Sequence, residues 1–297
     1  MKLTNKHKLP QTYVDLISTT LWDPRESDPK RISVTTLIQN PRIKKLTLAH
    51  YDELESDVSD YLWLLLGNAV HYVMATIESN KEKSLNRLVE EKLIIEVNGF
   101  KIVGKLDLYE DKDKSIEDYK VTSVWSVQFG EHDDWEKQLN PYAWLLRKNG
   151  FEVKQARINA IIRDWRKSEG LRYEDYPKVP FVTIPVKLWT LEEQQAYIEN
   201  RVEIYREIMD MPIAEVPICS SKERWAGADK YAVYKGTNKT ATRVLDTAQE
   251  AEAYVKNSMK GAGCNIVKRT GEDKKCLGYC NVNKFCSYYQ ETYGKNK

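Results

Sequence analysis

The sequence predicts an α/β fold, with a mixed central β-sheet flanked by helices, an N-terminal helical region and a cysteine-rich C-terminal appendage. Three observations predict it. A helical region, three β-rich runs, a helix and a further strand follow one another in that order. Asn98-Gly99 separates two of the β-rich runs, and this dipeptide is the strongest short signal for a hairpin. After Pro212 the composition shifts towards Cys, Lys, Gly and Tyr.

The composition excludes several classes of protein. The chain has 297 residues, of which 41% are hydrophobic and 30% charged, so it can form a substantial core in about two domains. The longest apolar stretch, residues 61–75, is interrupted by Gly67, Asn68 and His71 and falls short of the ~20 apolar residues of a membrane helix. Residues 1–10 are polar and carry no secretory signal. We therefore expect a cytoplasmic protein with no membrane partner.

The net charge of +2 hides an asymmetry along the chain. The segment from Cys219 to Lys297 contains 15 Lys and Arg against 8 Asp and Glu, a balance of +7, which leaves −5 for the first 218 residues. A basic appendage of this kind can meet a polyanion while the acidic part holds metal-binding carboxylates. A well-solvated tail is the equal alternative.

In the N-terminal third the periodicity favours helices. Ser33 can cap an apolar series that is broken at Pro41. Apolar residues at helical spacing then predict one long amphipathic helix over residues 51–78.

The later elements follow from changes in period. Strands are predicted at residues 88–97, 100–109 and 115–121, a helix at 135–148, strands at 154–162 and 180–188, and a helix at 191–209 that Thr190 caps. In the tail, residues 230–235 and 242–245 predict a small hairpin, and residues 247–259 a short helix. No GxGxxG or P-loop string occurs, so nothing indicates a nucleotide site.

Two short strings carry candidate catalytic residues. GKLD ends at Asp107, and EDYK places Asp118 and Lys120 on one side of the next strand. Two carboxylates held together favour a hard divalent cation, Mg²⁺ or Mn²⁺. With Lys120 acting on water or on a phosphate, these are the parts of metal-assisted phosphodiester hydrolysis. A surface hairpin with alternating charges is the alternative.

Four stretches, GNAVH (67–71), GKLD (104–107), DYKVTS (118–123) and QLNPYAWLL (138–146), follow one another along residues 32–150. Their order and approximate spacing resemble the PD-(D/E)XK nuclease superfamily, specifically its RecB-like exonuclease branch. The resemblance implies a restriction-endonuclease-like core at residues 81–211, after a helical region at 1–80 and before a basic, cysteine-rich appendage at 212–297. It also implies a phage or prokaryotic protein.

The resemblance further implies a role for each motif residue. His71 looks like the histidine that binds or positions the metal, and Asp107 and Asp118 look like its carboxylate ligands. The backbone carbonyl of Tyr119 is implied as a further ligand, and Lys120 resembles the catalytic lysine. A helix histidine with a satisfied ring is the alternative for His71.

Gln138 and Tyr142 lie four residues apart, so one helical face can present both. In the family that face approaches the lysine and the DNA backbone, whereas ordinary helix packing is the alternative. Glu90, Glu91 and Glu117 can also bind metal, but each is as easily a solvated strand residue.

Cys276, Cys280 and Cys286 are close enough in sequence to hold one metal centre, with Cys219 as the candidate fourth ligand. The resemblance to AddB-type and CRISPR-associated RecB-like nucleases implies a 4Fe-4S cluster. Their first cysteine precedes the core, near residues 40–42 here, where this chain has none, so either Cys219 or Cys264 substitutes for it or the cluster is absent. The alternatives are a zinc site and unliganded thiols. The zinc site is disfavoured because the sequence lacks short CxxC pairs. Cys264 is otherwise expected to be a buried apolar thiol.

The tail interleaves cations with aromatic residues: Lys222, Arg224, Trp225, Lys230, Tyr231, Tyr234, Lys235, Lys239 and Arg243. The cations can contact phosphates, and the rings can stack on unpaired bases. A packed hairpin with a solvated face is the equal alternative. We therefore expect a Mg²⁺- or Mn²⁺-dependent DNA exonuclease of end-processing, recombination, repair or phage DNA metabolism. Its expected partners are DNA ends and a recombination or annealing protein. A non-catalytic DNA-end-binding or assembly protein and a structure-specific endonuclease are the alternatives.

Overall fold

The computed structural model describes residues 1–81, 87–130, 132–258 and 263–294. They divide into two compact units, Met1–Ile213 and Ala214–Lys297. No described helix is both long and apolar enough to cross a membrane. The further division of the first unit into a helical region and a nuclease core stays a prediction.

The first unit has a mixed α/β fold, as predicted. Its elements in chain order are β1 (Lys2–Thr4), α1 (Gln11–Thr20), β2 (Arg31–Ser33), α2 (Val34–Ile38), α3 (Pro41–Ala49), β3 (Glu55–Asp57), α4 (Leu62–Asn80), β4 (Leu88–Val89), β5 (Lys92–Val97), β6 (Phe100–Lys105), β7 (Leu108–Glu110), β8 (Ser115–Thr122), α5 (Val124–Phe129), α6 (Asp133–Lys148), β9 (Gln155–Ile162), α7 (Lys167–Arg172), β10 (Phe181–Val186) and α8 (Leu191–Asp210).

The strands form three sheets. A five-stranded sheet has the order β10-β9-β8-β7-β4, with β8 and β9 parallel and the other pairs antiparallel. A three-stranded sheet has the order β2-β6-β5, and β1 pairs with β3. The carboxyl ends of β8 and β9 therefore lie side by side.

Helix α6 is the most continuously buried element, because every residue from Leu139 to Leu146 is buried. Its buried Asn140 is fully bonded: the amide donates to the carbonyl of Lys187 at 2.9 Å, and the oxygen accepts from Trp189 N at 2.8 Å and from the Gln194 amide at 3.0 Å. A buried polar group satisfied in this way holds one orientation. It fixes α6 against the start of α8.

Helix ends in this unit follow the sequence signals. Ser33 accepts a hydrogen bond from Thr36 N at the start of α2, and Thr190 forms a capping box with Glu193 at the start of α8. At the other end of α8, Lys45 Nζ donates to the carbonyls of Ile208 and Met209, both at 2.8 Å. A cation there also complements the helix dipole.

The predicted helix over residues 51–78 is wrong in its first half, because α4 begins only at Leu62. Asp57 accounts for the difference. Its carboxylate accepts from Lys6 N at 2.7 Å and from Thr4 Oγ1 at 2.9 Å, which draws the chain into β3 beside β1. Helix α4 also has no buried residue among those described, so its predicted amphipathic pattern does not mark a side that is buried in the core.

The predicted strands at residues 88–97 and 100–109 are each broken, at residues 90–91 and 106–107. The two breaks face each other: Glu90 N donates to the carbonyl of Asp107 at 3.0 Å, and Leu106 N donates to that of Glu91 at 3.1 Å. Glu90 has a φ of 53° there. The hairpin thus passes from the three-stranded sheet into the five-stranded sheet, and the predicted three-strand run is divided between them.

The second unit contains α9 (Ser221–Arg224), β11 (Lys230–Lys235), β12 (Arg243–Leu245), α10 (Ala248–Ser258), β13 (Cys264–Arg269), α11 (Lys274–Gly278) and α12 (Ser287–Tyr293). Its sheet is antiparallel with the order β12-β11-β13. The predicted hairpin and short helix are confirmed, although the predicted helix end at Met259 lies outside the described residues.

Candidate active site

The break in the hairpin brings three potential metal ligands together. Asp107 and Glu90 face each other across the break, and α4 supplies His71, whose Nδ1 lies 3.1 Å from Asp107 Oδ2. One ligand atom from each of His71, Glu90 and Asp107 lies within 4.8 Å of the others. An imidazole nitrogen and two carboxylates form a donor set that suits a divalent cation.

Strand β8 supplies the second half of the site. Asp118 is 5% exposed, and its Oδ2 lies 2.8 Å from Lys120 Nζ, as the strand alternation predicted. The intervening residue, Tyr119, donates its backbone N–H to Asp107 Oδ2 at 2.8 Å. This bond connects the β8 residues to the three-ligand group, although Asp118 itself lies outside that group.

Helix α6 also contributes residues to the site. The Gln138 amide donates to Asp118 Oδ1 at 3.2 Å, and Tyr142, one turn later, is buried. Burial raises the pKa of Tyr142, with Asp118 adding to the rise and a hydrogen bond to Gln138 opposing it. The structure therefore brings both predicted helix residues to the carboxylates, and Tyr142 also packs in the core.

Gly104 of the GKLD string permits this close packing. A Cβ at Gly104 would lie 2.4 Å from Leu145 Cδ1 and 2.8 Å from Tyr142 Cδ1, far inside van der Waals contact. Only glycine lets β6 approach α6 so closely.

We expect Gly104→Ala to move Tyr142 and α6 away from the sheet, because Leu145 is fully buried and cannot yield freely. The cost is about 1–3 kcal/mol of the free energy of unfolding, measured by chemical denaturation. Gly150→Ala, at a position with open space but a φ of 87°, is the matched control for strain outside the site. A Gly104→Ala protein as stable as the wild type would contradict the packing described.

The electrostatics of the site favour a cation. Burial raises the pKa of Asp118 to about 6, while Lys120 opposes the rise and Asp107 adds to it. Asp118 Oδ2 is buried, and its partner among the described residues is the Lys120 ammonium at 2.8 Å. The hydrogen bond to Asp107 raises the pKa of His71. A bound divalent ion would relieve the repulsion between these crowded carboxylates.

Sequence reasoning set Glu90 aside, yet the structure places it among the potential ligands. Glu117 differs: its carboxylate lies 3.1 Å from Arg157 Nη1 and accepts from the Asn159 amide at 2.7 Å. Because Glu117 is adjacent to Asp118 on an extended strand, it points to the opposite side of the sheet. Glu117 therefore has a structural partner and lies outside the candidate site.

Four of the five cysteines influence one another in the second unit. Burial raises the pKa of Cys219 and of Cys276 to about 11, and in both cases the other thiols of the set, which include Cys280 and Cys286, add to the rise. Cys264 lies on β13 and is half-buried, so the prediction of a buried thiol there is wrong. Cys264 begins β13, an edge strand in which half-buried and exposed residues alternate at first and no residue is fully buried.

A buried carboxylate, Asp273, joins the segments that carry these cysteines. It accepts hydrogen bonds from Tyr288 OH at 2.6 Å, Tyr293 OH at 3.0 Å and Arg224 Nε at 3.2 Å. Burial alone would raise the pKa of Asp273, but these hydrogen bonds outweigh that effect, and the pKa lies below its usual range. Arg224 in turn donates to the carbonyl of Cys219.

These contacts change the interpretation of the basic tail. Arg224, predicted as a DNA contact, is instead committed to Asp273 and packs over the Tyr288 ring at 4.4 Å. Lys230 pairs with Asp246, and Arg243 lies over the Tyr254 ring at 5.4 Å. Three of the six predicted cations thus have partners within the unit itself.

Comparison with protein-family models finds none that matches the chain, and comparison with curated proteins finds none either. Two solved structures are similar to parts of it. The crystal structure of SSO0001 has a TM-score of 0.44 at 19% identity, covering 68% of this chain and 85% of that one. A phage-related exonuclease from Haemophilus somnus 129PT has a TM-score of 0.38 at 17% identity, covering 63% and 96%. Likenesses of this size establish neither a family nor an activity for this chain.

Proposed function

We propose that the protein is a Mg²⁺- or Mn²⁺-dependent nuclease that hydrolyses phosphodiester bonds in DNA, of the RecB-like PD-(D/E)XK type. One observation carries the proposal: His71, Glu90 and Asp107 bring ligand atoms within 4.8 Å of one another beside the buried pair of Asp118 and Lys120. The motif strings that resemble this nuclease branch supply all of these residues except Glu90.

Each side chain has a role that its contacts support. His71, Glu90 and Asp107 would hold the cation with Asp118, and the Tyr119 carbonyl is a further proposed ligand. When bound, a divalent ion activates water and polarises the scissile phosphate. Two contacts keep the carboxylates in place, from Tyr119 N to Asp107 and from Gln138 to Asp118.

Lys120 presents an ammonium at the same place, 2.8 Å from Asp118. A cation so close to the scissile phosphate would neutralise the charge that develops on its oxygens, and it can orient the attacking water. Tyr142 lies one turn after Gln138 on α6 and is buried. Its raised pKa keeps the phenol protonated. Tyr142 therefore acts as a hydrogen-bonding and packing group, with no charge of its own.

We expect the purified protein to degrade linear DNA in Mg²⁺ or Mn²⁺ and to stop when EDTA removes the ion. Linear, closed circular and single-stranded substrates should be compared. Cleavage from ends, with circular DNA left intact, is expected for an exonuclease, whereas cutting of circular DNA would identify the endonuclease alternative. Binding to DNA ends without turnover in either metal would contradict the proposal and favour the non-catalytic alternative.

We also propose that Cys219, Cys276, Cys280 and Cys286 bind a 4Fe-4S cluster. The mutual influence of these thiols supports a shared centre. Arg224 joins the carbonyl of Cys219 to Asp273 at the start of α11, and α11 carries Cys276. These contacts hold two of the cysteine-bearing segments together.

The spectrum of anaerobically purified protein tests the cofactor. A brown sample with broad visible absorption and stoichiometric iron is expected, and it should be lost in Cys276→Ser and retained in Cys264→Ser. A colourless protein with one zinc per chain would contradict the cluster and support the zinc alternative. We propose end-processing, recombination, repair or phage DNA metabolism as the setting, with a recombination or annealing protein as partner.

A further inference from the structure

Next to the candidate site the first unit exposes large aromatic rings. Helix α5 begins four residues after Lys120 and has two faces. Val124 and Val127 face the core. Trp125 and Phe129, one turn apart, are each 67% exposed. Two large rings left in water on one helical turn are unusual unless something binds them.

A third ring and a cation adjoin α5. Arg163 follows β9, and its guanidinium lies over the Trp63 ring of α4 at 4.6 Å; Trp63 is 57% exposed. The loop that carries Arg163 is attached to α5, since Arg163 N donates to the carbonyl of Thr122 at 2.9 Å and Val124 N donates to Asp164 Oδ1 at 2.8 Å. Trp63, Trp125, Phe129 and Arg163 form what we call the α5 surface.

The α5 surface is cationic as well as aromatic. No described carboxylate forms an ion pair with Arg163, and none does with the exposed Arg166 and Lys167 that follow it. Asp164, the nearest acidic residue along the chain, uses its carboxylate to cap the start of α5. The combination of exposed aromatic rings and cations that no described carboxylate pairs with matches the chemistry of unpaired nucleotides, whose bases stack on rings while their phosphates pair with cations.

We propose that the α5 surface binds the unpaired bases of a single DNA strand at the carboxyl ends of β8 and β9, beside the cleavage site. The inference rests on the proposed nuclease function and specifies its substrate: an unwound or frayed strand end in preference to intact duplex. Lys120 lies near the carboxyl end of β8, four residues before α5, so a strand held on the α5 surface would have Lys120 close by.

Fluorescence anisotropy in EDTA, where hydrolysis is blocked, tests binding separately from catalysis. The probes are a labelled 20-nucleotide oligo(dT) and a blunt 20-base-pair duplex. We expect the double variant Trp125→Ala/Phe129→Ala to weaken oligo(dT) binding by about tenfold or more, since a base-stacking ring contributes about that much, and duplex binding by much less. Trp125→Phe keeps a ring and should retain most of the affinity.

Trp22→Ala is the matched control, because Trp22 is also 60% exposed but lies elsewhere in the first unit. It should leave oligo(dT) binding unchanged. Arg163→Gln should reduce the slope of log affinity against log salt by about 0.7, the value for one phosphate contact on a single strand. Circular dichroism of each variant establishes that it is folded.

Three results would overturn the inference: no binding of oligo(dT) by the wild type, equal losses for oligo(dT) and duplex, or unchanged binding in the double variant. A change of oligomeric mass in the double variant would also overturn it, in favour of a contact between copies of this chain. Failure of the nuclease proposal would look different, as absent hydrolysis with oligo(dT) binding intact.

Discussion

Asp118→Asn is expected to lower the rate of DNA hydrolysis in Mg²⁺ by at least about 10³-fold, which corresponds to about 4 kcal/mol of transition-state stabilisation. The substitution removes the negative charge that faces Lys120, and a neutral amide is a weaker ligand for a divalent cation than a carboxylate. Because a buried carboxyl with a raised pKa is replaced by a neutral isostere, the fold should survive. Rates on end-labelled linear DNA measure the effect.

Glu117→Gln is the matched control, one residue away on the same strand. Glu117 faces the other side of the sheet and pairs with Arg157 and Asn159. We expect it to lower the free energy of unfolding by about 1–3 kcal/mol and to leave the hydrolysis rate within a few-fold of the wild type. Equal activity in Asp118→Asn and wild type would refute the assignment of Asp118. So would a loss of activity in Glu117→Gln that matches that of Asp118→Asn.

Asp273→Ala is expected to destabilise the second unit by about 3–5 kcal/mol, the cost of leaving one partner of a buried ion pair alone. Arg224, whose side chain is 13% exposed, would be left without its carboxylate, and the hydroxyls of Tyr288 and Tyr293 would lose their acceptor. Because Arg224 also donates to the Cys219 carbonyl, we expect the proposed cluster to be lost as well. Chemical denaturation and visible absorbance measure the two effects.

Asp246→Ala provides the comparison for Asp273→Ala. Asp246 pairs with Lys230 at the surface, and an exposed pair contributes about 0–1 kcal/mol. The Asp246→Ala protein should therefore retain the stability of the wild type and the visible absorption of the proposed cluster. Similar denaturation midpoints for the Asp273→Ala and Asp246→Ala proteins would show that the Asp273 contacts do not hold the unit together.

Much of the site could be predicted because strand geometry is regular. Alternation along one strand placed Asp118 and Lys120 on the same side, and the structure shows them 2.8 Å apart. The same regularity could have found Glu90. The Asn98-Gly99 turn pairs Val97 with Phe100, and the register holds through the break, since Val89 pairs with Leu108. Counting back from the turn therefore places Glu90 opposite Asp107.

Other features depend on contacts that a local pattern does not contain. The charged run Glu90-Glu91-Lys92 does not distinguish a break from a solvated part of a strand, so only the passage between two sheets reveals the break. The late start of α4, at Leu62 and not at residue 51, results from Asp57 bonding to residues more than fifty positions away. Apolar spacing on α4 specified a helix correctly, but nothing in it shows whether that face is covered by this chain.

The site lies where two sheets meet, and this position accounts for its chemistry. A positive φ at Glu90 is strained for a residue with a side chain, and such strain concentrates at functional positions. The break turns Glu90 and Asp107 towards His71, whereas an unbroken hairpin would continue the regular alternation of its side chains. The free energy of binding a divalent cation to all three groups at once would offset this strain.

Anomalous diffraction from crystals soaked in Mn²⁺ tests the central claim most directly. Data collected at the manganese absorption edge should give a peak between His71, Glu90 and Asp107, within ligand distance of Asp118, and the peak should be absent from crystals of the Asp107→Asn protein. A protein that cleaves DNA in Mn²⁺ while its manganese binds elsewhere, with no peak among these residues, would contradict the account.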